Sequence, residues 1–233
     1  MSSSPARNVL IVGASRGLGL EFVRQYRADG ARVTATARAD DGVAAIAALG
    51  AKALKLDVAD AASASGLAWQ IDGEAFDTVV HVAGVYGPRT AGLEPPTLDD
   101  FDAVMHANVL GVMRVLPQVA DALAPPVAGR AVARIAVVSS RMGSIGLRAG
   151  TSGWLYRASK AAANSVLKDA SLALADRALC VAFHPGWVRT DMGGAGADID
   201  PADSIAGMRR TLAGLDASRN GSFLNYDGTP LAW

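Results

Sequence analysis

The sequence predicts a single α/β domain: a doubly wound parallel sheet of about seven strands with helices on both faces. Three observations predict it. Short, β-branched apolar runs alternate with longer alanine-rich helical patterns, which is the rhythm of parallel strands joined by crossover helices. The strand-like runs are apolar almost throughout rather than alternating, as suits strands buried on both faces. The 233 residues fit one large α/β unit, which often reaches roughly 200 to 250 residues, and no internal repeat or interdomain linker divides residues 1–233.

The strands expected in order are Asn8 to Val12, Arg32 to Thr36, Ala53 to Leu56, Thr78 to Val82, Ala133 to Ser139, Leu179 to His184 and a weaker Ser222 to Asn225. Helical patterns fall near residues 17–29, 41–48, 60–70, 97–124, 153–176 and 201–214. The fourth helix opens on Thr97-Leu98-Asp99-Asp100, an N-cap followed by acids that suit the helix dipole, and it carries Pro117, which bends it or marks its last turns. The segments 84–96 and 193–200 follow strand C-terminal ends and read as loops, the second glycine-rich and expected to form an open, mobile lid.

Composition narrows the function classes. Twenty-two basic and 22 acidic residues balance, so no net field draws nucleic acid or an anionic membrane surface. The single cysteine, Cys180, sits in an apolar run and allows no disulfide framework. Met1 to Arg7 lead straight into the first strand without the apolar core of a signal peptide, and no apolar run spans a bilayer. The expectation is a cytoplasmic protein with no metal site.

Gly13-Ala14-Ser15-Arg16-Gly17-Leu18-Gly19 links the first strand to the first helix. Glycines there let the backbone turn sharply and approach a pyrophosphate seated on the helix N-terminus, although a tight turn alone also asks for glycine. Tyr156 and Lys160 stand four residues apart on a helical pattern, hence on one face. A phenol has a reference pKa of about 10, and an ammonium beside it favours the phenolate, which makes the pair a general acid or base. Taken alone, Tyr156 and Lys160 also read as a surface pair.

The glycine spacing together with Tyr-x-x-x-Lys resembles the short-chain dehydrogenase/reductase family of nicotinamide-dependent oxidoreductases, over almost the whole chain. The resemblance implies a Rossmann fold and a catalytic set of Asn108, Ser140, Tyr156 and Lys160, with Ser139 the lesser candidate for the hydroxyl. It implies cofactor contacts from Gly13, Ser15, Arg16, Gly17, Leu18 and Gly19, from Asp57 and Val58 at the adenine, from Ala83 and Gly84, from Tyr156 and Lys160, and from Pro185, Gly186, Trp187, Val188 and Thr190. His81-Val82-Ala83-Gly84 departs from the family's Asn-Asn-Ala-Gly, and His81 reads as a packed core residue or a proton carrier. Ser140 precedes Tyr156 by more residues than is usual in the family, so that loop is extended. The wording of Arg141 to Gly146 and of Asn225 to Gly228 is most similar to the branch holding C-factor signalling proteins and sniffer-type carbonyl reductases.

In that family Tyr156 would protonate the oxyanion formed as hydride reaches a carbonyl carbon. Ser140 would bind the same oxygen, Lys160 would lower the phenol pKa and bind the ribose, and Asn108 would hold a water. The alternative reading is a nucleotide-binding regulatory protein of C-factor type with vestigial turnover. No acid closes the second strand. Arg38 stands there instead, suited to a 2′-phosphate with Arg16 as a second cation, or else simply solvated, so the preferred cofactor is NADP(H), with NAD(H) possible. Val85, Tyr86, Met142, Trp154, Trp187 and Met192 are apolar candidates for contact with a small carbonyl or alcohol substrate. The long helices and alanine-rich faces suggest a homodimer or homotetramer.

Overall fold

A computed structural model describes residues 7–126 and 132–233; the N-terminal run Met1 to Arg7 lies, apart from Arg7, outside the described residues. Seven strands form one parallel sheet: β1 (Asn8–Val12), β2 (Arg32–Ala37), β3 (Lys52–Lys55), β4 (Thr78–His81), β5 (Ala133–Val138), β6 (Ala178–His184) and β7 (Ser222–Asn225). Their order is β3-β2-β1-β4-β5-β6-β7. The order reverses between β1 and β4, which pair with Val12 opposite His81. In an open α/β sheet that reversal leaves a crevice at the strand C-terminal ends where ligands bind.

Alternate residues of each strand feed two cores. Val9 and Ile11 of β1 join Phe22, Tyr26, Ile46, Ile205 and Met208 on one face, while Leu10 and Val12 join Leu67, Val115, Leu116 and Leu167 on the other. The first face is covered by α1 (Gly17–Ala28), α2 (Asp40–Ala48) and α8 (Pro201–Ala213). The second is covered by α3 (Ala61–Ser65), α4 (Leu67–Gln70), α6 (Gly111–Ala120) and α7 (Trp154–Ala173), with α5 (Leu98–Met105) packed against α7.

Two expected helices prove to be composite. The 60–70 pattern breaks at Gly66 into α3 and α4, since glycine disfavours a helix interior. The 97–124 pattern begins as expected, with Thr97 Oγ1 accepting from the Asp100 amide at 3.1 Å. It then widens into a π turn over His106–Leu110 before resuming as α6, and such widened turns are common at functional sites. Pro117 lies within the last turn of α6. Among the described residues no helix is long and apolar enough to cross a membrane.

The segment 193–200, expected to be an open lid, is instead stitched down. Trp187 O accepts from the amides of Asp198 and Ile199 at 3.1 Å each, the Arg189 amide donates to Ile199 O at 2.9 Å, and Arg189 pairs with Asp200 at 2.8 Å. Glycine content alone could not anticipate these partners.

Helix α7 is held by Leu167, which is fully buried in the second core. Leu167→Ala is expected to cost about 3 kcal/mol, within the range for large-to-small core changes. A urea titration checks it: the midpoint should fall with an unchanged slope, and an unchanged midpoint would refute the role of this contact.

Candidate active site

The first residues of α1 leave a cradle. Gly13 has φ +86°, and a Cβ there would stand 2.6 Å from the Ala83 backbone. A Cβ on Gly19 would collide with Gly13 O. Only glycine lets β1, the turn and the β4 end approach this closely. The helix start has no side-chain cap and no acid in its first turn, so its free amides and positive end suit a pyrophosphate. Ser15 backs onto Ala37 and Gly42, at the junction of β2 and α2. Arg38 follows β2, exposed and in no ion pair among the described residues. These residues fit a phosphorylated dinucleotide.

Arg16, the expected second cation, lies within the glycine turn. It pairs with Asp191 at 3.0 Å, both side chains being exposed. Thr190 packs beside Gly17, within van der Waals reach of a Cβ there, so the glycine turn and the segment after β6 meet across the crevice. In that segment Gly186 has φ +85°, Val188 is buried, and the Trp187 indole donates to Gly193 O at 2.9 Å. Asp57, just after β3, accepts from the Ala59 amide through its carboxylate and donates its own amide to Ser63 Oγ. Val58 is buried against Gly111.

The expected catalytic set gathers at the C-terminal ends of β4 and β5. Ser140 accepts from the Met142 amide at 3.1 Å, capping a short 3₁₀ turn over Arg141–Gly143. Tyr156 and Lys160 lie on α7, which begins at Gly153 in the left-handed conformation, φ +66°. The Lys160 ammonium donates to Val138 O at 2.9 Å and stands 5.7 Å from the Tyr156 ring centre. Ser139 contacts Lys160 O at 3.4 Å and supports the helix. Asn108 is buried on the π turn, and its amide is largely committed: Nδ2 donates to Val85 O and Ser159 Oγ, and Oδ1 accepts from the Val85 amide, all within 2.8 to 2.9 Å. Asn108 therefore braces the loop after β4, a role the sequence reading missed, with one Oδ1 lone pair left over.

A cavity of about 690 Å³ opens over this set. Ser140, Tyr156, Leu18, His184 and the 185–188 segment line it, with Thr190. Of the six apolar candidates, Tyr86, Met142, Trp187 and Met192 line the cavity; Val85 and Trp154 do not. The Tyr86 ring stacks on that of Tyr156 at 4.5 Å, and the Arg89 guanidinium lies 4.8 Å from the Tyr86 ring centre. Leu147, Ala149 and Gly150 bring the extended loop into the wall. That loop is pinned at both ends, by Gly146 donating to Trp233 O and Gly153 donating to Thr90 O.

Burial dominates the titration of the site. It pushes the Tyr156 phenol up to about 12, against the Ser140 hydroxyl, which favours the phenolate. It pushes Lys160 down to about 8. The expected lowering of the phenol by the lysine is not seen, because removing the phenolate from water is the largest effect. Burial also pushes His81 down to about 3, helped by Lys160, and His184 down to about 4, helped by Arg141. His81 Nε2 and His184 Nδ1 are buried without a partner, so His81 is a packed neutral group of the core. Among the described residues no cluster of three or more His, Cys, Asp or Glu could hold a metal.

A family model described as short chain dehydrogenase matches residues 7–198. The C-signal protein of Myxococcus xanthus is 37% identical over 158 residues, covering 67% of this chain and 92% of its own. The carbonyl reductase Sniffer of D. melanogaster superposes with TM-score 0.84 at 30% identity, covering 98% of this chain and all of that one. An NADPH-bound carbonyl reductase from chicken fatty liver superposes with TM-score 0.83 at 28% identity, covering 100% of this chain and 96% of that one.

The two histidines predict an acid-labile fold. Each has a folded pKa depressed below the unfolded value of about 6.5, so the unfolded state binds the extra protons and stability falls as pH drops from 6.5 towards 4. Each histidine contributes about 1.4 kcal/mol per pH unit within that window. His81→Asn should make the decline shallower by about that amount between pH 6 and 4.5. Urea titrations of both proteins at several pH values measure it, and parallel declines would contradict the assignment.

Proposed function

The chain belongs to the short-chain dehydrogenase family of oxidoreductases, and on that premise we propose that it reduces an aldehyde, ketone or diketone with NADPH, or runs the reverse oxidation, in the cytoplasm. The observation that carries this reading is the convergence of the Ser140 hydroxyl and the Tyr156 phenol on one cavity, with the Lys160 ammonium buried behind the phenol. The glycine cradle, Asp57, Val58, Ala83, Gly84 and the 185–190 segment would hold the dinucleotide, with Arg38 at the 2′-phosphate. Carbonyl reductases with bound NADPH among the structural relatives support that choice.

When bound, the reduced nicotinamide supplies a hydride to the carbonyl carbon. Ser140 and Tyr156 donate hydrogen bonds to the carbonyl oxygen as negative charge develops there. A phenol held at about 12 keeps its proton at neutral pH, and an alkoxide is the stronger base, so transfer from Tyr156 runs downhill. The Lys160 ammonium then faces the phenolate and stabilises it. Asn108 fixes the loop carrying Gly84 and Val85, and the free lone pair of its oxygen would take a water that returns the proton. The Tyr86 ring, stacked on Tyr156, limits the directions from which a carbonyl can approach.

The similarity to C-signal favours a second reading, a regulatory protein that binds NADP(H) without useful turnover. A screen of aldehydes, ketones and diketones following NADPH absorbance separates the two, tight NADPH binding with no turnover being the outcome that favours regulation. A groove of about 410 Å³ between α6 and α7, lined by Met113, Leu116, Pro117, Ala120, Val166 and Ala170 among others, supports assembly as a homodimer or homotetramer, which light scattering would test.

Tyr156→Phe keeps the ring and the Tyr86 stack but removes the acid. Turnover is expected to fall about 10²- to 10⁴-fold with NADPH affinity retained in a fluorescence titration, and near wild-type turnover would sink the assignment. Arg38→Asp replaces a phosphate-binding cation with a repelling acid. The NADPH over NADH ratio of kcat/KM should drop at least about tenfold, since one charged hydrogen bond is worth roughly 1.5 to 3 kcal/mol; an unchanged ratio would place the 2′-phosphate elsewhere.

A further inference from the structure

The charged residues of the cavity are all of one sign. Arg89, Arg141 and Arg157 line it, and no Asp or Glu does. The sequence around them shares this bias: from residue 122 to residue 168 there is no acid, against seven Arg or Lys. Among the described residues none of the three arginines is in an ion pair, whereas Asp191, flanked by the lining residues Thr190 and Met192, is paired with Arg16.

Their positions are fixed relative to the reacting groups. Arg141 directly follows Ser140 and lies close enough to His184, across the cavity wall, to disfavour its protonation. Arg157 directly follows Tyr156; its Nε donates to Ser152 O at 2.9 Å, which anchors the guanidinium by one edge and leaves the terminal nitrogens for a ligand. Arg89 sits over Tyr86 and donates to Met192 O at 3.0 Å. A lone surface arginine is ordinarily a solvated charge, but three unpaired guanidinium groups on one concave wall repel one another and repel any cation that enters. A wall of this kind lowers its own energy by taking up an anion, and the guanidinium fork matches a carboxylate.

We propose that the carbonyl substrate of this site is itself anionic, an oxo acid or aldehyde acid whose carboxylate is held by Arg141 and Arg157 while its carbonyl oxygen meets Ser140 and Tyr156. This rests on the carbonyl reductase reading and adds the substrate class to it. The same arrangement selects against amines and other cationic carbonyl compounds, which would enter a wall without a counter-charge. Arg89 adds to the positive field and, through Tyr86, orders the ring stacked on the acid.

Two matched pairs of probes test it: phenylglyoxylate with methyl phenylglyoxylate, and 4-carboxybenzaldehyde with methyl 4-formylbenzoate. With NADPH, at least one acid should exceed its ester in kcat/KM by tenfold or more. That ratio should collapse towards one in Arg141→Gln/Arg157→Gln and be partly retained in Arg157→Lys, which keeps the charge but loses the fork. Turnover of the esters at rates equal to the acids would overturn the inference while leaving carbonyl reduction standing. So would a double variant that keeps the acid preference, or one that loses NADPH affinity as steeply as acid turnover, since the arginines would then serve the dinucleotide. Binding to the NADP-loaded Tyr156→Phe variant, read from tryptophan emission, separates the two readings. If no probe is turned over by the wild type but the acids bind tenfold tighter than the esters and lose that advantage with the arginines, anion recognition stands and carbonyl reduction fails.

Discussion

The hydrogen bond from the Lys160 ammonium to Val138 O is the contact on which the site depends. It ties α7 to the last residue of β5, and so fixes Tyr156, one turn earlier, relative to Ser140, two residues beyond Val138. An ammonium in this position has lost its water and is driven towards neutrality, so it stays only because the surrounding structure supplies a carbonyl dipole at the right point. The helix below is committed to the core through Ala163 and Leu167, and Gly143 packs so tightly on the Lys160 backbone that a Cβ there would stand 2.8 Å away.

Around this anchor the loops are joined in pairs rather than left to fold alone. Asn108 grips Val85 by both ends of its amide and joins Ser159 to the same network. Gly153 reaches Thr90, Arg89 reaches Met192, and Arg16 reaches Asp191. The walls of the cavity therefore come from four strand ends, yet each wall is hydrogen-bonded to its neighbour. The surface ion pair between Arg16 and Asp191, exposed on both sides, adds little stability. Its position where the glycine turn meets the segment after β6 matters more than its strength.

Much of this was legible in the sequence. The five central strands were readable because each is a largely apolar run that the sheet buries on both faces; the edge strands β3 and β7 are shorter and more exposed, and the strand ends moved by a residue or so. The glycine turn between β1 and α1 and the shared helix of Tyr156 and Lys160 were legible because spacing dictates their placement. The π turn was not: nothing in His106 to Leu110 distinguishes a widened helix from an ordinary one, and the widening follows from Asn108 reaching Val85 and Ser159. Nor was the stitched lid at 193–200, since its partners, Trp187 and Arg189, are set by the fold. The phenol was expected to be lowered by its lysine, but spacing gives the neighbour and says nothing of burial, which turned out to be the largest effect. Arg141 and Arg157 stood beside catalytic residues in plain view, and only the cavity shows that they share a wall without an acid.

Some of the places where local rules are broken lie around the crevice, while others, the unpartnered Nε of Arg27, Arg134 and Arg209, do not. His81 and His184 keep unpartnered ring nitrogens, and Asn164 buries an amide with neither end satisfied. Tyr156 and Lys160 are both displaced from their ordinary ionisation, and a helix widens to turn an asparagine inward. Each feature costs stability. His81, His184, Tyr156, Lys160 and the π turn lie towards the strand C-terminal ends, around the crevice where the strand order reverses, and the costs borne there fall beside the groups that the motifs single out.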